Sequence, residues 1–485
     1  MNLKTLLASL QKYEAYGSLD IDIAGLSYDS RKVRNGDLFA ALPGHIFHGS
    51  RFLSEAQQSG AVAVLSDRRL STPLPHIVVS NARLALALLS SSFYSHPSGK
   101  LKLLGVTGTN GKTTTTFLLR SILEHASIRC GLLGTVQYSS AASSTASVLT
   151  TPESLDLQRL LASMVSEDCS ACVMEVSSHS LVQHRVAGCL FESSIFTNLT
   201  QDHLDYHHNM EEYFQAKLML FSNRTCKMKR AILNIDDPYG CRIASMGPCP
   251  GQEFFSYGFK AEADFSITGW QSEPGGSEIR IRRYENTVQL RTPLIGRYNA
   301  YNVCAAFAAM NLTGIHPQAI TAGIENMKQV PGRLERIDNG QPFLIFIDYA
   351  HTEDAIRQLL ATVRSYTQKR LIVLFGCGGE RDRGKRPLMG KAAAELADIV
   401  ILSSDNPRTE DPFQILQEIL AGVELSENKN VHVITDRKEA IAFAVQIAQQ
   451  GDSLVLAGKG HENYQIIGNE KLHFDEREIL RDLLK

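Results

Sequence analysis

The sequence has no apolar run of about 18 residues, the length that a membrane-spanning helix needs. Its first residues, MNLKTLLASLQKYEAYGSL, include apolar side chains, but Ser, Gln and Lys interrupt them. They therefore lack the continuous apolar segment that is typical of a secretory signal peptide. From these absences we predict no membrane partner and a location in the cytoplasm.

Neither sign of charge predominates, because 49 Lys and Arg face 51 Asp and Glu and leave a net charge of −2. This balance does not indicate a general nucleic-acid-binding surface, although it leaves local basic clusters open, and we expect no nucleic-acid partner. Cysteine is odd in number, with nine residues scattered along the chain, which suits reduced thiols in a cytoplasm. Cys169 and Cys172 form a CxxC without a second pair. We interpret them as small buried residues leading into a strand, not as a zinc or redox site.

The length of 485 residues predicts about three domains of roughly 100–200 residues each. Residues 1–100 are typical of a small α/β unit that ends in the turn-rich HPSGK. Over residues 101–332, short apolar runs that end in polar residues alternate with helix-length segments. This alternation predicts a mostly parallel sheet with helices on both faces, and the runs EADFSITGW and SEIRIRRY predict a smaller β excursion. Residues 333–485 resume the alternation with five strands whose C-terminal ends carry polar residues, where open α/β sheets bind ligands.

The stretch LLGVTGTNGKTTTTFLL (103–119) places a lysine after a glycine-rich turn, between a predicted strand and a predicted helix. Glycines let backbone N–H groups close around phosphate oxygens, and the helix start adds positive potential. Lys112 can reach the β- and γ-phosphates of a nucleotide, and the Thr113 hydroxyl suits Mg²⁺. The loop is a variant, because Val106 stands where the strict motif has Gly, and the motifs of a conventional GTPase do not accompany it. The predicted nucleotide-binding residues of the loop are Gly108, Thr109, Asn110, Gly111, Lys112, Thr113 and Thr114.

The variant GTNGKTTT resembles the Mur ligase family, and further motifs of that family follow in order along nearly the whole chain. They are DSRKVRNGDLFAALPGH, TTPES, MEVSSHSLVQHR, TNLTQDHLDYH, NAYNVCAA, GRLE, DYAH, GCGGERDRGKRP, DNPR and GKGHE. The resemblance implies an ATP-dependent enzyme that joins an amino acid to a peptide carboxylate. It also implies a UDP-sugar-binding domain (1–100), a central P-loop ATPase domain (101–332) and a Rossmann-like, doubly wound domain that binds the amino acid (333–485).

The resemblance implies how the nucleotide is used. The acceptor carboxylate attacks the γ-phosphate of ATP, and an amine then attacks the resulting acyl phosphate to give an amide, ADP and phosphate. Two anions must meet in the first step, so cations are required. We expect two Mg²⁺ ions, with Glu175 and His203 as ligands beside Thr113. A zinc site built from His203 and its neighbouring histidines lacks suitable ligand spacing. Lys217 matches the lysine that the family carbamylates with CO₂, which turns a cation into an anion able to support Mg²⁺.

Further residues match the family's contacts to each substrate. Asn302 is expected to contact adenine, Asp348 the ribose and Arg333 the phosphates, whereas the residues alone allow an apolar helix beginning near Asn302 and a plain turn at PGR. The acceptor, UDP-MurNAc-L-Ala-D-Glu, is expected to contact Tyr28, Ser30, His45, Ile46, Phe47, Thr150, Thr151, Ser177, Gln183 and Arg185. The residue before the two threonines, Leu149, departs from the related pattern, which often has Asn there.

The last motifs imply the amino acid. Meso-diaminopimelate differs from lysine by a carboxylate on the far carbon, so its recognition needs a cation, and DNPR supplies Arg408. For Arg381, the alternative is a place in a solvated basic loop. Glu462 is expected to bind an ammonium group. The expected diaminopimelate-binding residues are Arg381, Asp405, Asn406, Pro407, Arg408, Gly458 and Glu462.

Other functions stay open at this point. A lysine-adding ligase of the same family would share most motifs, although DNPR argues against it. A binding module that uses ATP as a switch would leave Glu175, His203 and Lys217 without a role. A folate polyglutamate synthase shares the ATPase core but should lack the uridine domain and DNPR. We expect a monomer.

Overall fold

The computed structural model of the protein describes residues 1–44, 47–222, 225–423 and 430–485. Three large sheets follow one another along the chain, with five, eleven and six strands, and a two-stranded ribbon lies near the end. Most strand pairs are parallel. The architecture is therefore α/β with three successive units, which confirms the predicted fold class.

The first sheet has the strand order β1-β5-β4-β3-β2, and only the β1–β5 pair is antiparallel. The apolar runs AVAVLSD and HIVVS contain β4 and β5. The elements of this unit are β1 (Glu14–Tyr16), β2 (Gly25–Ser27), β3 (Asp37–Ala41), β4 (Ala63–Ser66), β5 (His76–Val78), α1 (Leu3–Leu7), α2 (Leu53–Gln58) and α3 (Ala82–Phe93).

The central sheet has the order β16-β15-β14-β13-β12-β11-β6-β10-β7-β8-β9, with β6 in its parallel middle. Its strands are β6 (Lys102–Thr107), β7 (Cys130–Leu133), β8 (Gln137–Ser139), β9 (Ser144–Ala146), β10 (Ala171–Glu175), β11 (Leu190–Phe196), β12 (Lys227–Asn234), β13 (Glu253–Gly258), β14 (Phe265–Glu273), β15 (Gly276–Arg283) and β16 (Asn286–Thr292). The predicted β excursion is the antiparallel β14–β16 edge.

Helices cover both faces of the central sheet, as its apolar strands require. Leu118, Phe307 and Ile320 belong to the core on one face, whereas Leu157 and Phe214 belong to the core on the other. The helices are α4 (Lys112–His125), α5 (Ser154–Ser166), α6 (Ser178–Val182), α7 (Leu204–His207), α8 (Met210–Leu218), α9 (Pro238–Met246), α10 (Arg297–Leu312) and α11 (Pro317–Glu325).

The third sheet has the order β17-β18-β22-β19-β20-β21 and is parallel except for β17. All five predicted strands are present. The strands are β17 (Glu335–Ile337), β18 (Leu344–Asp348), β19 (Leu371–Phe375), β20 (Ile399–Leu402), β21 (Val431–Val433), β22 (Ser453–Ala457) and the ribbon β23 (Tyr464–Ile467) and β24 (Glu470–His473). Two separate cores flank the sheet, so it is doubly wound. The helices are α12 (Glu353–Arg364), α13 (Lys385–Leu396), α14 (Pro412–Val423), α15 (Arg437–Ile447) and α16 (Glu476–Leu483).

The chain passes from the second sheet to the third through Gly332, which has a φ of +64°. A β-carbon built there would lie 2.1 Å from the backbone nitrogen of His461, so no side chain fits. Glycine is therefore required by both the conformation and the contact. The predicted domain boundaries at residues 100/101 and 332/333 lie between the sheets, and the assignment of functions to the units stays a prediction.

Cys169 and Cys172 are both buried, and Cys172 lies within β10, in agreement with their interpretation as buried residues leading into a strand. None of the helices in the described ranges is long and apolar enough to cross a membrane.

Candidate active site

A cavity of about 630 Å³ opens beyond the carboxyl ends of β6, β10 and β11 and is closed on its far side by the third unit. The phosphate loop, Glu175, His203 and Lys217 line it from the central unit, while Arg333 and Asp348 line it from the third. Polar groups that are more than 200 residues apart in the sequence thus line the same cavity. Cavities of this size and position are typical of ligand sites in α/β proteins.

The phosphate loop follows β6 and leads into α4, which is the context that the motif predicted. Gly108 (φ +145°) has no room for a side chain, because a β-carbon would lie 1.9 Å from Thr197 Oγ1. Gly111 (φ +86°) adopts the left-handed conformation immediately before α4. Lys112 Nζ donates to the carbonyl oxygens of Gly108 (3.1 Å) and Thr109 (2.7 Å). Burial lowers the pKa of this lysine.

Thr113 connects the loop to β10 of the central unit and to Arg333 of the third unit. Its hydroxyl donates to Glu175 Oε1 at 3.0 Å and accepts from the Arg333 guanidinium at 3.0 Å. Glu175 also accepts from the backbone N–H (2.8 Å) and hydroxyl (3.0 Å) of Thr135. A hydroxyl and a carboxylate at the start of a phosphate-binding helix are oxygen donors of the kind that Mg²⁺ prefers, with waters and phosphates completing its shell. Within the described ranges, no group of three His, Cys, Asp or Glu side chains is arranged to hold a metal by itself.

Lys217 is almost wholly buried on α8, at 1% exposure. Its Nζ donates to the carbonyl of Gly108 at 2.8 Å and lies 4.5 Å from the centre of the Tyr213 ring. Burial, followed by the nearby charge of Lys112, holds the pKa of this amine well below its usual range. The side chain therefore favours the neutral amine, which is the nucleophilic form of lysine.

His203 precedes α7 in the left-handed conformation, and its Nε2 lies 3.2 Å from Asp202 Oδ2. Burial lowers its pKa to about 3, so the ring is neutral at physiological pH, the form that binds metals. Asp202 also approaches two side chains of the third unit, His351 at 3.6 Å and Lys385 at 4.0 Å. Although burial acts in the opposite direction, these contacts hold the pKa of Asp202 well below its usual range. We did not predict Asp202 from the sequence.

The other predicted nucleotide residues surround the loop but already have partners. α10 begins at Arg297, so Asn302 lies inside that helix and does not begin it. The Asn302 amide accepts from Thr115 Oγ1 (3.3 Å) and donates to Asn299 Oδ1 (2.9 Å). The Asp348 carboxylate accepts from two backbone N–H groups, of Leu334 and Ala350, and burial raises its pKa. The role of each in binding ATP stays a prediction.

Two predicted acceptor residues of the first unit form tight polar contacts. Tyr28 donates from its hydroxyl to Asp156 on α5, a contact between the first and central units, and burial raises its pKa. Ser30 donates to Glu55 at 2.8 Å. Phe47 is 51% exposed. The predicted residues His45 and Ile46 lie outside the described residues.

Five further acceptor residues cluster where β10 ends. Thr151 Oγ1 accepts from the backbone N–H of Ser177 at 3.1 Å, and Thr150 lies 3.1 Å from the Thr135 hydroxyl. Arg185, which is 8% exposed, donates to the Thr151 carbonyl at 2.9 Å and to Gln183 Oε1 at 2.6 Å. Its guanidinium also lies 3.1 Å from Glu153, which in turn faces Arg83 of the first unit. The structure thus brings Thr150, Thr151, Ser177, Gln183 and Arg185 together.

The predicted amino-acid site lies at the ends of β20 and β22, where Asp405, Asn406 and Pro407 are buried and Arg408 is partly buried. Arg408 adopts the left-handed conformation (φ +54°) and donates from Nη1 to the Gly379 carbonyl at 2.6 Å. No other partner of its guanidinium is found among the described residues. Arg381 is exposed and donates to the carbonyl of Glu380, as a solvated basic loop would, although it faces the same site.

Glu462 and Gly458 complete that site. Gly458 (φ +107°) follows β22 and donates its N–H to the Asp348 carbonyl. Glu462 Oε2 accepts from Asn406 Nδ2 at 2.8 Å and lies 3.4 Å from Lys459 Nζ. Burial, followed by the charge of Asp405, raises the pKa of Glu462. Lys459 is a second residue that we did not predict, although it lies inside the quoted motif GKGHE.

The chain is similar to known proteins along nearly its whole length. Three family models match: the Mur ligase family catalytic domain at 22–94, the Mur ligase middle domain at 106–310, and the Mur ligase glutamate ligase domain at 332–460. A protein from Geobacillus thermodenitrificans named UDP-N-acetylmuramoyl-L-alanyl-D-glutamate–2,6-diaminopimelate ligase is 44% identical over 490 residues, covering 100% of this chain and 99% of its own. A protein of the same name from Gloeobacter violaceus is 46% identical over 469 residues, covering 96% and 94%.

Solved structures show the same likeness. A structure titled as the same diaminopimelate ligase aligns with a TM-score of 0.71 and 33% identity, over 99% of this chain and 98% of its own. A folylpolyglutamate synthase from Mycobacterium tuberculosis, complexed with ADP and AMPPCP, aligns with a TM-score of 0.61 and 16% identity over 78% of this chain, so it shares the fold alone.

The three-unit fold and the phosphate loop that faces the third unit define an ATP-dependent ligase. The chain belongs to the Mur ligase family, as its sequence motifs implied.

Proposed function

We propose that the chain adds meso-2,6-diaminopimelate to UDP-MurNAc-L-Ala-D-Glu at the expense of ATP, in the synthesis of a peptidoglycan precursor. The observation that carries the proposal is one cavity that the phosphate loop shares with Glu175, Lys217 and Arg333. Thr150 and Ser177 of the predicted acceptor set line this cavity, and Tyr349, which also lines it, lies beside Glu462 of the predicted amino-acid set. Full-length relatives with that printed name support the same conclusion.

In the first step, an oxygen of the D-Glu carboxylate attacks the γ-phosphorus of ATP, and the bond to the bridging oxygen of ADP breaks. Lys112 and Arg333 bring positive charge to the phosphates, which reduces the repulsion between the two anions. Thr113, Glu175 and His203 would hold Mg²⁺, which supplies further positive charge at the transferred phosphoryl group. Two such ions are part of the proposal.

In the second step, the neutral amine of the amino acid attacks the acyl carbon, phosphate leaves with the C–O electron pair, and the nitrogen loses a proton. The acyl phosphate hydrolyses in water, so the third unit must bring the amine close and exclude solvent. The placement of Arg333 and Asp348 against the loop of the central unit is consistent with such closure.

We further propose that Lys217 is carbamylated. A neutral amine can attack CO₂ and lose a proton, giving an N-carboxylate in place of an ammonium group. The low pKa of Lys217 favours that neutral amine. The carbamate would then lie beside Gly108 and add negative charge where a cation binds.

We propose that the chain acts as a monomer. ATP and a uridine nucleotide are made and used in the cytoplasm, so we place the reaction there. The functional division into units at 1–100, 101–332 and 333–485 is part of the same proposal.

A product assay tests the proposal. The enzyme is incubated with UDP-MurNAc-L-Ala-D-Glu, ATP, Mg²⁺ and one amino acid from a panel that includes meso-diaminopimelate and L-lysine. We expect a UDP-MurNAc-tripeptide and one phosphate per amide, with diaminopimelate strongly preferred. Preference for lysine would make the chain a lysine-adding ligase, and ATP hydrolysis without any amide product would make it a nucleotide switch. Either result would overturn the proposal.

A further inference from the structure

Lys459 is a cation of the third unit that has no exposed surface. It follows Gly458 at the end of β22, in the loop that reaches Glu462. A lysine is almost never fully buried unless it is paired, because removing its charge from water is costly. Its partners therefore show what this position requires.

The Lys459 ammonium meets an oxygen from each of three residues. The distances from Nζ are 3.2 Å to Asn406 Oδ1, 3.3 Å to Asp405 Oδ1 and 3.4 Å to Glu462 Oε2. Three protons of one ammonium thus face three oxygens. Asp405 and Asn406 lie after β20 and Glu462 lies after β22, so Lys459 joins the two loops that form the predicted amino-acid site.

These contacts fix the orientation of two side chains. Asn406 Oδ1 accepts from Lys459 and from the N–H of Ile466 (3.0 Å), which directs the amide Nδ2 towards Glu462. Glu462 has its Oε2 held by Asn406 and Lys459. Its Oε1 accepts a long hydrogen bond of 3.5 Å from the Tyr349 hydroxyl, and the Tyr464 hydroxyl also interacts with the Glu462 carboxylate. One carboxylate oxygen is therefore anchored, and the other is available for an ammonium group.

The charges of the neighbouring side chains also indicate that Lys459 supports Glu462. Asp405 and Glu462 would be two buried carboxylates close together without a cation between them, and one of them would take up a proton. Burial opposes ionisation of Asp405, but Lys459 and Arg437 lower its pKa. Glu462 is the group whose pKa is raised, so it is the first to lose its charge.

We propose that Lys459 is a positioning residue for the amino-acid substrate: its ammonium keeps Glu462 ionised and aimed so that the second carboxylate oxygen binds the ammonium group of the incoming diamino acid. Lys459 itself contacts no substrate atom. This inference rests on the proposed function, because it concerns the same amino-acid site.

The test compares steady-state kinetics of the unmodified enzyme with those of Lys459→Met, which keeps the length and apolar stem but removes the charge. The matched control is Lys471→Met, on β24, whose exposed ammonium packs 3.7 Å from the Tyr464 ring. We expect Lys459→Met to raise the KM for diaminopimelate about tenfold to a hundredfold, the range seen when a group that holds a ligand-binding residue is removed. The KM values for ATP and for the uridine substrate should stay within about twofold, since these sites lie elsewhere.

The pH dependence of the KM for diaminopimelate distinguishes this electrostatic role of Lys459 from a role in packing alone. Glu462 must be ionised to bind an ammonium group, so affinity is lost as pH falls through its pKa. Loss of Lys459 raises that pKa, and the rise in KM should therefore begin at a higher pH in Lys459→Met than in the unmodified enzyme. The charged and titratable groups facing Glu462 from all sides are Lys459, Asp405, Arg408, Tyr349 and Tyr464.

A second variant keeps the test decisive if Lys459→Met does not fold. Lys459→Arg retains the charge, so it should keep the pH profile while the KM rises through altered geometry. Unchanged KM and pH profile in a folded Lys459→Met, or an upward-shifted profile in Lys459→Arg, would overturn the inference alone. An unmodified enzyme that forms no diaminopimelate product overturns the proposed function, and this inference with it.

Discussion

The two ends of the site hold their lysines in opposite ways. At the nucleotide end, Lys112 and Lys217 donate to neutral backbone carbonyls of the phosphate loop. At the amino-acid end, Lys459 donates to carboxylates that belong to the site itself. A triphosphate offers Lys112 a charged partner in place of neutral ones, so binding it brings a gain in electrostatic energy. Lys459, at the other end, already donates to three oxygens of the protein. It therefore orients neighbouring side chains and does not itself attract a ligand.

This difference suggests that the two ends serve different needs. The proposed reaction must bring two anions together, and a cation such as Lys112, whose partners are weak and exchangeable, suits that task. Selecting one amino acid over another requires polar groups that cannot rearrange to bind the wrong amino acid. Side chains that are already held by hydrogen bonds to one another meet this requirement.

The largest effect should follow from Lys112→Ala. The backbone of the loop, fixed by Gly108 and Gly111, should keep its shape while its main charge is lost. We expect kcat to fall by roughly 10²–10³, as when one essential donor to a developing charge is removed. Phosphate release in the presence of all substrates measures this, with thermal unfolding as the control for folding. Turnover near that of the unmodified enzyme would show that the nucleotide end does not depend on this cation.

A smaller loss, of about 10²-fold, is expected for Lys217→Ala. If a carbamate acts at this position, added short carboxylates should restore part of the activity of the alanine variant, whereas they should not help Lys112→Ala. Electron density from crystals grown with bicarbonate and nucleotide gives a direct check. A bare amine in that density, with no group of the active site in contact, would contradict carbamylation.

At the amino-acid end, Arg408→Ala should change the choice of substrate more than the rate of phosphoryl transfer. In the proposed function, the Arg408 nitrogens that have no partner among the described residues bind the distal carboxylate of diaminopimelate and would be left unpaired by lysine. A site of this kind can discriminate by about 10⁴–10⁵. The variant should lose about tenfold to a hundredfold of that preference without becoming an efficient lysine ligase, because no new partner for the lysine ammonium appears. Parallel kcat/KM values for the two amino acids decide this, and an unchanged ratio would place the selecting residue elsewhere.

The fold and the phosphate loop could be predicted because their signals are local. Apolar runs that end in polar residues define the parallel strands, and Gly108, Gly111 and Lys112 lie within one short stretch of sequence. The partners of the site residues were not predictable in this way. Asp202 approaches His351 and Lys385 across two units, and Lys459 acquires its partners only when β20 and β22 become neighbours of β19. Motif resemblance located both stretches, but burial and pairing appear only in three dimensions.

Gly332 allows unusually close packing at the joint between the second and third units. A β-carbon at Gly332 would lie within 2.6 Å of the backbone of Gly460 and His461, and a β-carbon at Gly460 would lie 2.7 Å from Tyr349 Cβ. Neither glycine has a side chain that could rearrange, so the joint and the loop that carries Glu462 are packed closely together. A change of backbone conformation at Gly332 would therefore displace this loop. A variant designed for a new substrate preference must therefore keep glycine at residue 332, because even one methyl group there would clash with the backbone of Gly460 and His461.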